Sequence, residues 1–283
     1  MKIPKRIQPL VDEGLVDEVL RPLMSGKEAS VYIVRCGEDI RCAKVYKEAD
    51  KRSFKQAVLY QEGRKVRSTR RARAMEKGSK FGRKQQEESW QHAEVDALFK
   101  LAKAGVRVPE PYGCYDGVLL MELVCDDEGR VAPRLADVAM DADLALADHA
   151  TMIRYIVLML CAGLVHGDLS EFNVLVDDHG PVIIDLPQAV DAAANNNAKW
   201  LFERDVNNMR AYYGLYAPEL LQTQYAAEIW ALYEAGELTA DSELSGEHLA
   251  DEHVADVDAV LEQIKAAFAE AEARKARAAE QDD

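Results

Sequence analysis

The chain has 283 residues, 48% hydrophobic and 30% charged, which is ordinary for a globular protein and long enough for one large domain or two lobes. Its five cysteines (Cys36, Cys42, Cys114, Cys125 and Cys161) are odd in number and form no C-x-x-C, which argues against a disulfide framework or thiolate metal cluster and for a reducing cytoplasm. The net charge is −15, but residues 1–111 carry 25 Lys and Arg against 16 Asp and Glu (net +9), and residues 112–283 carry 10 against 34 (net −24). Only the first part would attract a polyanion. No apolar run reaches the length of a membrane span, and the opening M-K-I-P-K-R-I-Q-P leads into V-D-E-G with no apolar signal core, so no membrane partner is expected.

In chain order, residues 10–23 place Val11, Leu15, Val19 and Leu23 on one stripe and predict a short helix, with Pro22 near its end. The stretch M-S-G-K-E-A-S-V-Y-I-V follows, and Gly26 predicts a turn that feeds a strand over 31–34. Gly37, Glu38 and Asp39 predict a second turn, and 41–46 a second strand carrying Ala43, Lys44 and Val45. A lysine flanked by strand residues either faces solvent or is aimed at something anionic. Its place after a glycine turn and before an acidic hairpin fits a phosphate-binding lysine.

Residues 51–84 hold 13 Lys and Arg with only Glu62 and Glu76 as acids, net +11, and Gly63, Gly78 and Gly82 interrupt any helix. This reads as a mobile, part-helical basic insertion, with a plain solvated loop as the alternative. Residues 87–104 predict a helix with Val95, Leu98, Phe99 and Ala102 buried and Glu94 pointing inward beside them. Gly105 ends it, V-P-E-P-Y-G reads as a turn, 118–124 as a buried strand and 125–133 as a linker. The acidic, amphipathic stretch 135–147 precedes Asp148, which is expected to cap a long apolar helix through 164 with Met152, Ile156, Met159 and Leu160 in the core.

The stretch 166–186 reads H-G-D-L-S-E-F-N-V-L-V-D-D-H-G-P-V-I-I-D-L. Apolar runs at 174–176 and 182–184 flank the turn formers Asp177, Asp178 and Gly180 and predict a β-hairpin. Asp168 and Asn173 stand just before the first strand and Asp185 at the end of the second, so the hairpin brings two acids and an amide to one mouth. Phosphoryl transfer needs such a set: one carboxylate to take the proton of the attacking hydroxyl, and an amide and a second carboxylate to hold a metal on the phosphates. The plain alternative is a hairpin with solvated acids. Beyond it, A-A-A-N-N-N-A reads as a polar loop and 198–213 as a helix with Trp200, Leu201, Val206 and Met209 apolar. Residues 217–233 continue the helical part, and the Ala- and charge-rich stretch 251–283 reads as a helix fraying into a tail.

The order of strand lysine, helix glutamate, H-x-D-x-x-x-x-N loop and following aspartate is that of the protein-kinase fold. More narrowly, the chain resembles the RIO kinases, an atypical protein-kinase family, and within it the bacterial relatives of the first RIO subfamily. The resemblance rests on S-G-K-E-A-S-V-Y (25–32), A-K-V-Y (43–46), A-G-V-R-V-P-E-P (104–111), L-V-H-G-D-L-S-E-F-N (164–173) and I-I-D-L-P-Q-A-V (183–190). It implies an α+β, two-lobed protein-kinase-like fold, with a small β-rich N-lobe, a helical C-lobe and no activation loop. The expected boundaries are 1–124 for the nucleotide-binding lobe, 125–250 for the catalytic lobe and 251–283 for the tail.

The resemblance also implies roles. Lys44 would contact the ATP phosphates and pair with Glu94, and Asp168 would be the catalytic aspartate. Asn173 and Asp185 would hold Mg2+ or Mn2+. Met121, Glu122 and Val124 would lie in the hinge beside adenine, while Ser25, Gly26, Lys27, Glu28, Ala29 and Ser30 would cover the phosphates. The implied activity is ATP-dependent transfer to serine or threonine, self-phosphorylation included, or ATP hydrolysis linked to ribosome maturation. Ribosomal RNA or a ribosome precursor is the partner expected for the 51–84 insertion. The alternatives are an aminoglycoside-type phosphotransferase, which shares H-G-D-L-x-x-x-N, and a nucleotide-dependent scaffold.

Several departures from ordinary protein kinases bear on that expectation. Only Gly26 remains of a G-x-G-x-x-G loop, and Leu186 and Pro187 follow Asp185 in place of Phe-Gly. Gly167 replaces the arginine of H-R-D, and Ser170 stands where many kinases carry lysine. The family's second subfamily carries an N-terminal winged helix, and the 24 residues before Ser25 are too few for one.

Overall fold

A computed structural model describes residues 3–26, 29–47 and 93–247. The expectations for Lys27 and Glu28, for the basic stretch 51–84, for the first part of the 87–104 helix and for the tail 251–283 lie outside the described residues.

The N-terminal part is a five-stranded antiparallel sheet of β1 (Glu18–Ser25), β2 (Ala29–Cys36), β3 (Asp39–Tyr46), β4 (Pro111–Tyr115) and β5 (Val118–Glu122), in the order β1-β2-β3-β5-β4. Strand alternation sorts the residues of β3 onto two faces. Ala43 and Val45 join Ile7, Leu10, Val34 and Leu120 in one apolar cluster. Tyr46, on the other face with Lys44, packs into the main core with Val95 and Leu98 of the helix at 93–103.

Three sequence expectations fail here. The helix expected over 10–23 stops early: Gln8–Asp12 is helical, Gly14 turns at φ 74°, and Glu18–Ser25 is strand β1. Pro22 has no N–H for a helix, but it fits an edge strand beside the irregularity between Pro22 and Met24. The turn expected at V-P-E-P-Y-G is the start of β4, the opposite edge, and proline is tolerated there as the first strand residue. The 93–103 helix buries Glu94, Val95, Ala97, Leu98 and Leu101, while Phe99 is 48% exposed and Ala102 is also outside.

The C-terminal part is helical. Ala142–Cys161 forms its core helix and buries Met152, Ile156, Met159 and Leu160 as expected. Its cap is Asp141, whose carboxylate accepts from the Leu144 N–H at 2.9 Å, because the Ala- and Leu-rich turn after Asp141 continues the helix without a break. The expected cap, Asp148, lies inside the helix and is buried. This helix has the length and hydropathy of a membrane span, but most of it is covered by the rest of the protein. Helices Ala198–Tyr213 and Tyr225–Ala235 pack against it, with a 3-10 turn, Pro218–Gln222, between them. Trp200, expected on the apolar stripe, is 53% exposed, whereas Leu201, Val206 and Met209 are buried.

The strand pair β6 (Leu164–Val165) and β9 (Val190–Asp191) closes the segment that holds the acidic hairpin. The hairpin forms at the expected place, as β7 (Val174–Asp177) and β8 (Gly180–Ile183).

His149, in the core helix, is buried against the rings of Tyr213 and Tyr225, each at 5.7 Å. Burial lowers its pKa from 6.5 to about 4. Between these values the unfolded chain binds a proton that the folded chain refuses, so stability is lost as pH falls through that window. Lowering pH from 7 to 5 should cost wild type about 1–2 kcal/mol more than His149→Phe. Burial raises the pKa of Asp148, an effect of opposite sign that is common to both proteins. Equal pH dependence in denaturant unfolding would show that His149 is not the group responsible.

Candidate active site

Lys44 lies on β3, and its Nζ donates to Glu94 Oε1 at 2.6 Å and to Asp185 Oδ1 at 2.9 Å. The three residues come from the sheet, from the 93–103 helix and from the end of the hairpin. Lys44 and Glu94 are both buried. Burial opposes the lysine charge, but the two carboxylates outweigh it and raise the Lys44 pKa, so the ammonium is retained. The second Glu94 oxygen accepts from the Tyr46 hydroxyl. Burial, with Glu94 beside it, keeps that phenol protonated and therefore a donor. Tyr46 is two residues from Lys44 on the same strand face, so one carboxylate serves both. Removing the hydroxyl leaves a buried, charged acceptor unsatisfied. Tyr46→Phe should lower the unfolding free energy by about 1.5–3 kcal/mol. A loss below about 0.5 kcal/mol in urea unfolding would show that this hydroxyl does not hold Glu94.

Asp185 has φ 66°, a left-handed conformation that aspartate tolerates better than most residues. Such conformations concentrate at functional sites. Burial raises its pKa, and Lys44, through charge and hydrogen bond, more than reverses this, leaving it below the usual carboxylate range. The side chain is 46% exposed, so it is accessible to a ligand as well as to Lys44.

The loop before the hairpin carries Asp168 and Asn173. The Asn173 Nδ2 donates to the Asp168 carbonyl at 2.8 Å, and the Gln188 amide donates to the Asp168 carboxylate at 3.3 Å. Burial raises the pKa of Asp168. His166 is buried and neutral: its Nδ1 accepts from the Asp168 N–H at 3.2 Å, which leaves the proton on Nε2 to donate to the Ile184 carbonyl at 3.0 Å. Burial lowers its pKa, in keeping with that tautomer. One side chain thus ties the Asp168 loop to the residue preceding Asp185.

Helix Ala198–Tyr213 holds the same loop from below. Asp205 accepts from the Gly167 N–H at 2.7 Å and from the Leu169 N–H at 3.1 Å, Asn208 donates to the Leu169 carbonyl at 2.9 Å, and Arg204 donates to the Gly167 carbonyl. Burial raises the Asp205 pKa to about 7 in spite of these donors. Gly167 has φ 82°, which suits a residue without Cβ.

Of the residues expected to cover the phosphates, Ser25 and Ser30 face each other, Oγ to Oγ at 3.0 Å, and the Gly26 N–H donates to the Ala29 carbonyl at 2.9 Å. Lys47 reaches the Ser25 Oγ at 3.0 Å and the Gly26 carbonyl at 2.5 Å. At the expected hinge, Met121 and Glu122 end β5, and Val124 packs with Ala132, Val182 and Leu175 into a small apolar cluster. The Glu122 carboxylate is taken by Arg107 at 2.7 Å, and Arg107 also reaches Asp177 of the hairpin at 3.3 Å. The Glu122 N–H donates to the Glu110 carbonyl.

The RIO domain family model matches residues 30–226, more than half of the chain. The chain belongs to the RIO domain family. It is similar to the RIO-type serine/threonine-protein kinase Rio1 of Haloferax volcanii, at 34% identity over 210 residues that cover 73% of this chain and 67% of that protein. The serine/threonine-protein kinases RIO1 of Schizosaccharomyces pombe and Homo sapiens are each 29% identical over 184 residues, 64% of this chain; the match spans 35% and 31% of their lengths. The chain therefore spans about a third of those two relatives. Among solved structures, the Rio2 kinase–ADP/Mg2+–phosphoaspartate complex from Chaetomium thermophilum matches with TM-score 0.54 at 24% identity, covering 74% of this chain and 59% of that one. A second Rio2 kinase structure from the same organism gives TM-score 0.54 at 21% identity and covers 94% and 82%. These likenesses establish the RIO kinase fold, with an antiparallel N-terminal sheet and a helical C-terminal part.

The structure brings Lys44, Glu94 and Asp185 into contact and places Asp168 and Asn173 on the adjoining loop. Sequence reasoning assigned no role to Tyr46, Gln188, His166, Arg204, Asp205 or Asn208. Two signals were present. Tyr46 shares the strand face of Lys44, and Asp205 sits at i+4 from Leu201 and i−4 from Met209, a charge inside an apolar stripe.

Proposed function

We propose that this RIO domain transfers the γ-phosphoryl group of ATP to serine or threonine hydroxyls, its own included, or to water, in the cleft between a nucleotide-binding lobe (1–124) and a catalytic lobe (125–250). The observation that carries the reading is Lys44, held charged between Glu94 and Asp185. In this reading Lys44 contacts the phosphates, Glu94 fixes it there, and Met121, Glu122 and Val124 lie beside adenine. Ser25 to Ser30 cover the phosphates, with Lys47 beside Ser25. Asp168 takes the proton of the attacking hydroxyl. Its raised pKa makes it a better base than a solvated aspartate, and Gln188 aims it.

Asn173 and Asp185 fit a magnesium site. The Asn173 Nδ2 is committed to the Asp168 carbonyl, which leaves its Oδ1 as a ligand, and Asp185 is ionised and partly exposed. Among the described residues there is no group of three or more His, Cys, Asp or Glu able to cage a metal. One amide and one carboxylate, completed by phosphate and water, suit Mg2+ better than an all-protein cage would. When bound, the ion neutralises charge developing on the phosphates.

The reading is tested by incubating the chain with ATP and Mg2+ against three acceptors: protein, ribosome-precursor particles and an aminoglycoside. Transfer to protein hydroxyls, or release of phosphate, supports it. Transfer to the aminoglycoside alone points to a small-molecule phosphotransferase. Nucleotide binding with neither transfer nor hydrolysis points to a scaffold.

A further inference from the structure

Arg134 reaches across the cleft from one lobe to the other. Its backbone forms a bridge with Leu175, two residues past Asn173, and so is anchored at the start of the hairpin. Its guanidinium extends to β1, where Nη2 lies 3.0 Å from the Met24 Sδ, one residue before Ser25. A thioether is a weak acceptor, and it is the hydrogen-bond partner this guanidinium has among the described residues. A planar fork of five donors is thus held between Asn173 and Ser25 with little to satisfy it. Its positive charge also reaches Asp185. The backbone on either side of Arg134 is fixed independently: Val176 donates to the Pro133 carbonyl, and the Leu135 carbonyl accepts from Tyr212 at 2.6 Å. The arginine therefore projects from a braced segment.

We propose that Arg134 is a second phosphate-binding cation, which closes over the nucleotide phosphates from the catalytic lobe while Lys44 holds them from the sheet. The inference rests on the ATP-dependent reading above. A guanidinium pairs with phosphate oxygens through two parallel hydrogen bonds, which Met24 cannot offer. Met24 is then a resting place: its sulfur keeps the side chain extended over the mouth of the cleft until phosphate replaces it.

Equilibrium binding of ADP and of adenosine to the full chain tests this, with Mg2+ present, for wild type, Arg134→Met and Arg134→Lys. Arg134→Met keeps an unbranched apolar stem and breaks one weak contact, so its thermal unfolding should match wild type. ADP affinity should fall about tenfold or more in Arg134→Met, and adenosine affinity should stay within about twofold. Arg134→Lys, which keeps the charge and loses the fork, should fall between. ADP affinity within about twofold of wild type in Arg134→Met would overturn the assignment. Equal losses for ADP and adenosine would overturn it too, because Arg134 would then shape the pocket and not meet phosphate. A wild-type chain that binds no ADP would remove the ATP reading itself, an outcome distinct from both.

Discussion

Asp168→Ala should reduce phosphoryl transfer by about 10²–10⁴-fold while ATP affinity stays within about twofold of wild type, the loss typical of a removed catalytic base. The two effects separate because Asp168 has no bond to Lys44. Its carboxylate is met by Gln188 and its backbone by His166 and Asn173. The truncation should not collapse the loop, since Asp205, Arg204 and Asn208 hold it through the backbone of Gly167 and Leu169. Initial rates with labelled ATP and a nucleotide-binding titration on the same preparation measure both quantities. Turnover within about threefold of wild type would remove Asp168 from its role.

The second large effect is expected at Asp185. Asp185→Asn keeps a residue that tolerates φ 66° and removes only the charge. Two functions go with that charge. Lys44 loses one of its two carboxylate partners, and a metal loses its only anionic protein ligand in the proposed set. Binding of ATP should become nearly independent of Mg2+, with affinity in its presence down by about tenfold or more. Titrations with Mg2+ and with chelator give the comparison. An undiminished Mg2+ effect on affinity would place the metal elsewhere.

The site was legible in sequence wherever local spacing carries it. The H-x-D-x-x-x-x-N loop and the turn residues at Asp177, Asp178 and Gly180 predicted the hairpin to within two residues at each strand end, because short connections between apolar runs have few solutions. Lys44 was ambiguous by itself: an alternating strand places it on a face but does not say what that face meets. Glu94 resolves the ambiguity from 50 positions away. The misread elements share one cause. Residues 10–23 have a helical stripe, yet Val19 and its neighbours pair with β2 because the sheet needs an edge that Pro22 can occupy. Asp148 looked like a cap because an acid preceding an apolar run does cap helices, and only tertiary burial shows that the helix starts seven residues earlier, at Asp141. The bracing of the loop by Asp205 was written as a charge in an apolar stripe. Its partners are backbone N–H groups 36 and 38 residues earlier, which no side-chain pattern records.

In the proposed function, Lys44, Asp168, Asn173 and Asp185 form one site that moves the γ-phosphoryl group of ATP. The most direct measurement compares ATP labelled at the γ-phosphorus with ATP labelled at the α-phosphorus, each incubated with the full chain, Mg2+ and protein acceptor. Label should leave ATP only from the γ position, appear on protein or as inorganic phosphate, and do so only with Mg2+ present and not in Asp168→Ala. Label transferred from the α position, or γ-label that leaves equally fast from Asp168→Ala, would contradict it.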